Sequence, residues 1–232
     1  MKRMLRTLLE ATLAMSLLAG CVAGPEERAN ALPTAEEVEE IALPAPTLKG
    51  EMSLEETLAL RHSVRNFTTE SLTLEEIGQL LWAAQGITGD RPFKRAAPSA
   101  GGRCPLEFDA CRKDGVWHYL PEGHRLELHL EGDVRPALVE AAWGQKFLAQ
   151  APVVFAVGGV FARTTSRYGE RGRLRYVPMD VGHAAQNLLL QAVALGLVSV
   201  PVGAFDDAAV ARVLNLPADQ EPLYLLPVGR PR

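Results

Sequence analysis

The sequence predicts an α+β fold, a largely antiparallel sheet flanked by helices. Three observations carry that prediction. Two helix-opening signatures stand early in the chain, Ser53 with Glu56 and Thr73 with Glu76; three strand-like runs joined by short turns follow over residues 106–130; and a long apolar helical stretch over residues 179–195 precedes a closing strand. Helices and strands in this order, without regular strand–helix alternation, belong to α+β architectures rather than parallel α/β ones.

Each element has a local reason. In Ser-x-x-Glu the hydroxyl accepts from the backbone N–H three residues on, while the carboxylate reaches back to the cap's own N–H. Ser53 therefore opens a helix that runs to about His62, and Thr73 opens one that ends near Gly86. Lys113-Asp114-Gly115 and Glu122-Gly123-His124 turn the chain between the strands of residues 106–130, giving a meander. A helix is expected from Asp133 to about Leu148, and the apolar residues 152–157 read as a buried strand. Residues 179–195 are apolar around most of the helix circumference, which places that helix in a core or an interface. Residues 197–202 read as a further strand, Asp206 caps a short helix to Leu214, and residues 222–228 close the sheet.

A chain of 232 residues supplies one buried core, and 47% hydrophobic with 22% charged residues is an ordinary globular composition. The formal net charge of −4 excludes a broad polyanion-binding role, so no nucleic acid partner is expected. At the N-terminus Lys2, Arg3 and Arg6 precede an apolar run over residues 7–18, which is too short to span a bilayer comfortably and reads as a secretory signal. It ends in Leu18-Ala19-Gly20-Cys21, and small residues abutting a cysteine resemble a bacterial lipoprotein signal. That resemblance implies removal of residues 1–20, lipidation of Cys21, and a protein exported and lipid-anchored to the membrane on the periplasmic side or cell surface. Residues 21–50 contain Pro25, Pro33, Pro44 and Pro46 with six glutamates, and read as an acidic tether ahead of one domain over residues 51–232. Cys104 and Cys111 flank a strand that would hold their Cα atoms roughly 20 Å apart, too far for a disulfide.

Four segments carry chemistry. In Arg61-His62-Ser63-Val64-Arg65 two guanidinium groups and a hydroxyl alternate along an extended stretch and point one way, which suits a phosphomonoester; a solvated arginine pair is the plainer reading. In Pro98-Ser99-Ala100-Gly101-Gly102 small residues let backbone approach a flat ring. Val202, Gly203 and Ala204 pass from strand to helix, where free amides face a ligand. Arg230 offers another cation near the end of the chain. His183 and Asn187 share a helix face, but no carboxylate or cysteine converges on them, so interior hydrogen bonding is expected there and no metal.

Together, and in this order, these segments resemble the FMN-dependent nitroreductase superfamily, and within it the SagB-type (thiazole/oxazole oxidase-like) dehydrogenases. The resemblance spans about Leu54 to Arg230. It is most specific over residues 61–67, at 97–101 with Pro105-Leu106-Glu107, at Tyr168-Gly169-Glu170-Arg171-Gly172, and over 182–188 and 226–231. It implies a nitroreductase-like fold in an intertwined homodimer with FMN at the interface. Arg61, Ser63 and Arg65 would hold the phosphate and ribityl chain, with His62 contributing contacts and Arg230 and Arg232 completing the phosphate site. Pro98, Ser99, Ala100 and Gly102 would line the isoalloxazine from the second subunit, and Val202, Gly203 and Ala204 would present backbone amide to the reactive ring nitrogen. Tyr168 and Gly203 are the implied catalytic residues. The implied activity is ping-pong hydride or electron transfer through flavin, from a small-molecule donor to a small-molecule acceptor.

Two other readings stay open. One is a SagB-type peptide azoline dehydrogenase, although Arg167 precedes Tyr168 where that branch often has Lys, and a guanidinium stays charged where an amine can act as base. The other is a non-catalytic lipoprotein that binds a ligand on the same fold.

Overall fold

The computed structural model describes residues 38–232, so the signal stretch, Cys21 and residues 21–37 of the expected tether lie outside the described residues. The chain runs β1 (Glu40–Ala42), α1 (Leu54–Leu60), α2 (Leu74–Gln85), β2 (Leu106–Cys111), β3 (Gly115–Leu120), β4 (Arg125–Glu131), α3 (Arg135–Ala141) and α4 (Phe147–Gln150). It continues through β5 (Val153–Gly159), α5 (Phe161–Arg171), α6 (Val177–Ala194), β6 (Val198–Ser199), α7 (Asp207–Val213) and β7 (Glu221–Gly229).

Both capping boxes form. Ser53 Oγ accepts from Glu56 N while Glu56 accepts from Ser53 N, and Thr73 and Glu76 repeat the exchange. Asp206 accepts from Ala209 N at 2.7 Å and opens α7. Among the described residues seven strands lie in the order β1-β4-β3-β2-β5-β7-β6, with every neighbouring pair antiparallel. Alternation along β5 builds the two layers. Val153, Phe155 and Val157 pack with Leu80 and Leu81 of α2 and Leu188 of α6, whereas Val154 and Ala156 pack with Leu138 of α3, Leu148 of α4 and Val210 of α7.

Three expectations need correction, and one helical stretch carried no expectation. The boundary near Glu51 is too late, because Glu40–Ala42 pairs with β4 and residues 38–232 form one compact unit, so residues 38–50 belong to the fold rather than to a tether. The helix expected from Asp133 to Leu148 is broken: Trp143 and Gly144 take positive φ (54° and 82°), which separates α3 from α4. The strand expected over residues 197–202 is regular only at Val198–Ser199. Finally, residues 161–176 are helical. There α5 bends at Gly169 (φ 55°, ψ −145°) and passes through a π-helical turn, Gly172–Tyr176, into α6.

Candidate functional site

The first helix ends at Leu60, two residues before its expected limit, and this frees the cation segment from the helix. Arg61 is already extended (φ −61°, ψ 118°), so residues 61–68 leave α1 as a near-strand. Val64 N donates to Ser199 O at 3.0 Å and Thr68 N donates to Arg230 O at 3.1 Å, with isolated bridges at Ser63–Ser199 and Phe67–Pro231. These bonds lay residues 63–68 along the β6 side of the sheet, against Ser199 and the residues that follow β7.

The cations there are not equivalent. Arg61 and Arg65 have no carboxylate partner among the described residues, and Arg65 rests over the Phe147 ring at 5.8 Å. Arg230 donates from Nε to Glu70 at 2.6 Å and from Nη2 to Glu76, lying 3.0 Å from Glu76 Oε1. Glu76 first, then Glu70, hold that guanidinium above its ordinary value. Two of the Arg230 nitrogens are thus committed to carboxylates. His62 is exposed, its Nδ1 at 2.8 Å from Leu60 O, and Arg232 is exposed.

Backbone amides sit beside this edge. Val202 exchanges both hydrogen bonds with Leu225, so its N–H is spent on the sheet. The N–H groups of Gly203 and Ala204 make no hydrogen bond among the described residues, and both residues are exposed. Ala204 O accepts from Gln145 Nε2 at 2.7 Å, and Phe147, which carries Arg65, is two residues further on. The turn between α3 and α4 therefore ties the amide segment to the cation segment, a link that no sequence signal marked.

The small-residue loop is built elsewhere. Gly101 and Gly102 take φ of 60° and 64° in a short 3₁₀ turn, Ala100–Gly102. A Cβ on Gly101 would stand 2.5 Å from the Tyr168 hydroxyl, so the expected catalytic Tyr168 closes on the loop itself. Ser99 Oγ donates to Asp180 Oδ2 at 2.6 Å and accepts from Cys104 N at 2.9 Å, and Ala100 N donates to Asp180 Oδ1 at 3.3 Å. Asp180 is 3% exposed; burial raises its carboxyl above the ordinary range against the lowering effect of Ser99 and Ala100. Burial likewise raises the Cys104 thiol. Asn187 donates to Ala83 O and Ala96 O, the interior role expected of it, whereas His183, given the same expectation, is exposed and makes no side-chain hydrogen bond among the described residues. No group of His, Cys, Asp and Glu among the described residues is arranged to hold a metal.

The two halves are anchored at opposite ends of α2. Glu76, in the first turn of α2, holds Arg230, whereas Gly86 at its far end accepts from Ala96 N at 2.8 Å and leads to the small-residue loop. Ten helical residues separate those anchors by about 15 Å. A cavity of about 780 Å³ between α2, α6 and residues 45–54 is lined by none of the expected site residues.

Residues 58–230 match the model described as the nitroreductase family. The chain belongs to the nitroreductase family. A protein of Methanocaldococcus jannaschii, named as a nitroreductase, is 44% identical over 186 residues, covering 78% of this chain and 92% of its own. The trifolitoxin-processing protein TfxB of Rhizobium leguminosarum bv. trifolii is 32% identical over 139 residues, 56% of this chain but 37% of that protein. Among solved structures, a nitroreductase of Ralstonia eutropha JMP134 superposes with a TM-score of 0.74 at 29% identity, covering 83% of this chain and 90% of that one. As a nitroreductase-family oxidoreductase, this chain has the fold expected of it, mixed helices on an antiparallel sheet.

Proposed function

We propose that this nitroreductase-family chain is an FMN-dependent oxidoreductase that works as a homodimer, moving hydride or electrons between two small molecules that visit one slot in turn. The observation that carries the reading is the pair of guanidinium groups at Arg61 and Arg65, without carboxylate partners among the described residues, beside the open amides of Gly203 and Ala204. Two cations and free backbone donors on one edge fit a phosphate at one end and an electron-rich ring nitrogen at the other.

Bound flavin supplies a two-electron store; the protein supplies binding, orientation and electrostatics. Arg61, Ser63 and Arg65 would grip the phosphate. Gly203 N–H, or its neighbour at Ala204, would donate to the ring and favour negative charge there. Asp180 holds Ser99 and Ala100, and so fixes the glycine-rich turn that would line the flavin. The roughly 15 Å of α2 between the Glu76 and Gly86 anchors supports a site completed by a second copy. Exposed Leu54, Leu58 and Leu60 on α1, with Leu48, supply apolar surface for such a contact.

Titration of the purified chain with FMN, followed by absorbance and gel filtration, tests this reading. It predicts about one FMN per chain in a dimer, whereas a chain that ignores FMN would favour the non-catalytic ligand-binding lipoprotein. The match to the trifolitoxin-processing protein favours a second reading, a peptide azoline dehydrogenase. Under it, Arg167→Lys would raise azoline oxidation; under the first it would change little. We further propose export and lipid anchoring at Cys21, which Cys21→Ser would abolish by releasing the protein from the membrane fraction.

A further inference from the structure

Asp109, His118 and Glu127 stand side by side across β2, β3 and β4, and Glu107 lies two residues before Asp109 on the same face of the sheet. A cavity of about 340 Å³ opens over them, within the usual size of small-ligand sites, about 300–1,000 Å³. None of the residues expected in the flavin site lines it. One wall is the loop between α7 and β7, which His129 of β4 holds in place. Its Nε2 lies 3.1 Å from Leu214 O and 3.0 Å from Asn215 O, and with two carbonyls facing it this nitrogen carries the ring proton.

The cavity holds more acid than its own cations neutralise. Glu107 is paired with Arg163, and Asp109, 3% exposed, accepts from His118 Nδ1 at 2.8 Å. Glu127, half-buried, and Asp219, exposed at the rim, have no hydrogen-bond or charged side-chain partner among the described residues. A second observation stands beside this charge. Gln220 is 8% exposed, and its Nε2 is buried without a hydrogen-bond partner. Gly158 pairs directly with Glu107, so the two project to the same face, and the Gln220 amide fills the space that a Gly158 side chain would take. That amide is therefore aimed along the floor of the cavity beside Glu107. A buried donor left unpaired is destabilising, so this one calls for an acceptor that the chain itself does not supply.

We propose that this cavity binds a small organic ammonium compound that also carries a neutral oxygen acceptor, its charge against Glu127 and Asp219 and its oxygen toward Gln220 Nε2. Unpaired carboxylates and an orphaned amide donor in one cavity are the complement of such a molecule. Glu107, Asp109, Glu127 and Asp219 outnumber Arg163 and His118, which disfavours an anion. An inorganic cation fits poorly too. Among the described residues no three His, Cys, Asp or Glu groups are arranged to hold one, and Asp109 and Glu127 stand two strands, about 10 Å, apart. A molecule of several atoms spans that distance where a single ion does not. The proposal is independent of the flavin reading.

Calorimetric titration of the full chain at low salt with L-lysinamide, with cadaverine and with magnesium chloride tests the assignment. Lysinamide carries ammonium groups and a carbonyl oxygen, whereas cadaverine keeps the ammonium groups alone. Lysinamide is expected to bind about fivefold more tightly than cadaverine, with magnesium weakest. Glu127→Gln loses about tenfold in lysinamide affinity, and Asp219→Asn loses a few-fold. Gln220→Met, of similar volume, brings lysinamide down to the affinity of cadaverine. A thermal melt shows which variants are folded, and if Glu127→Gln is not, the exposed Asp219→Asn carries the charge test. No saturable binding of lysinamide at millimolar concentration overturns the proposal, as does unchanged affinity in the folded acid variants. Equal affinity of the unaltered chain for the two amines overturns the role of Gln220, and magnesium binding tighter than either amine overturns the proposal in favour of a metal site.

Discussion

Ser99 donates a 2.6 Å hydrogen bond to Asp180, 81 positions further along the chain, and so hangs the glycine-rich turn on the buried start of α6. Asp180 takes two donors from that turn, the Ser99 hydroxyl and the Ala100 amide. Removing it leaves both without their acceptor. Asp180→Ala is expected to cost about 1–3 kcal/mol in urea unfolding, and to weaken FMN binding by letting the turn move. Asp180→Asn, which keeps one acceptor oxygen, should fall between.

Under the proposed flavin site, Arg61→Ala and Arg65→Ala should each remove a charge-assisted contact to phosphate worth about 1.5–3 kcal/mol, or roughly tenfold or more in FMN affinity. Neither side chain carries a salt bridge among the described residues, so thermal stability should change little. Fluorescence titration of flavin alongside a thermal melt separates the two effects.

Arg230 gives a prediction of opposite sign. Glu70 and Glu76 both draw on its guanidinium, and Glu76 also caps α2, which makes Glu70 the separable partner. Glu70→Gln is expected to strengthen FMN binding a few-fold by freeing Arg230 Nε and removing a negative charge from the phosphate edge. Weaker binding would show that Glu70 instead holds Arg230 in its working position.

His118 supplies a pH dependence. Burial alone would lower its proton affinity, but the hydrogen bond from Nδ1 to Asp109 at 2.8 Å, with the charges of Asp109, Glu107 and Glu127, outweighs burial and raises it above the ordinary value. A histidine that holds its proton more tightly when folded adds stability below about pH 6.5, and that contribution is lost as pH rises through its raised folded value. His118→Asn should therefore cost about 1–3 kcal/mol near pH 5.5 and clearly less near pH 9 in paired urea melts. An equal cost at both values would contradict the assignment.

What was legible in the sequence follows from interaction range. The capping boxes at Ser53 and Thr73 and the turns at Lys113-Asp114-Gly115 and Glu122-Gly123-His124 are local chemistry, and each structure forms where the residues require it. Strand β1 escaped because three residues in a stretch rich in Pro and Glu carry no period, and only pairing with Arg125, Leu126 and Glu127 defines them. Helix α5 escaped because its arginines, threonines and Gly169 lack an apolar stripe of useful length. In the site, the cation segment and the glycine-rich turn were readable as motifs. The Asp180 anchor, the Gln145 link to Ala204 and the carboxylates on Arg230 were not, since each joins residues from 59 to 160 positions apart.

The most direct test of a flavin site shared between two copies mixes two damaged chains. Arg61→Ala/Arg65→Ala protein and Asp180→Ala protein, carrying different tags, are co-expressed, the mixed pair is isolated, and its FMN is counted. If the cations come from one copy and the glycine-rich turn from the other, the mixed pair rebuilds one intact site and retains about one FMN, while each variant alone retains little. A mixed pair as empty as its parents would place both halves within a single copy and contradict the account.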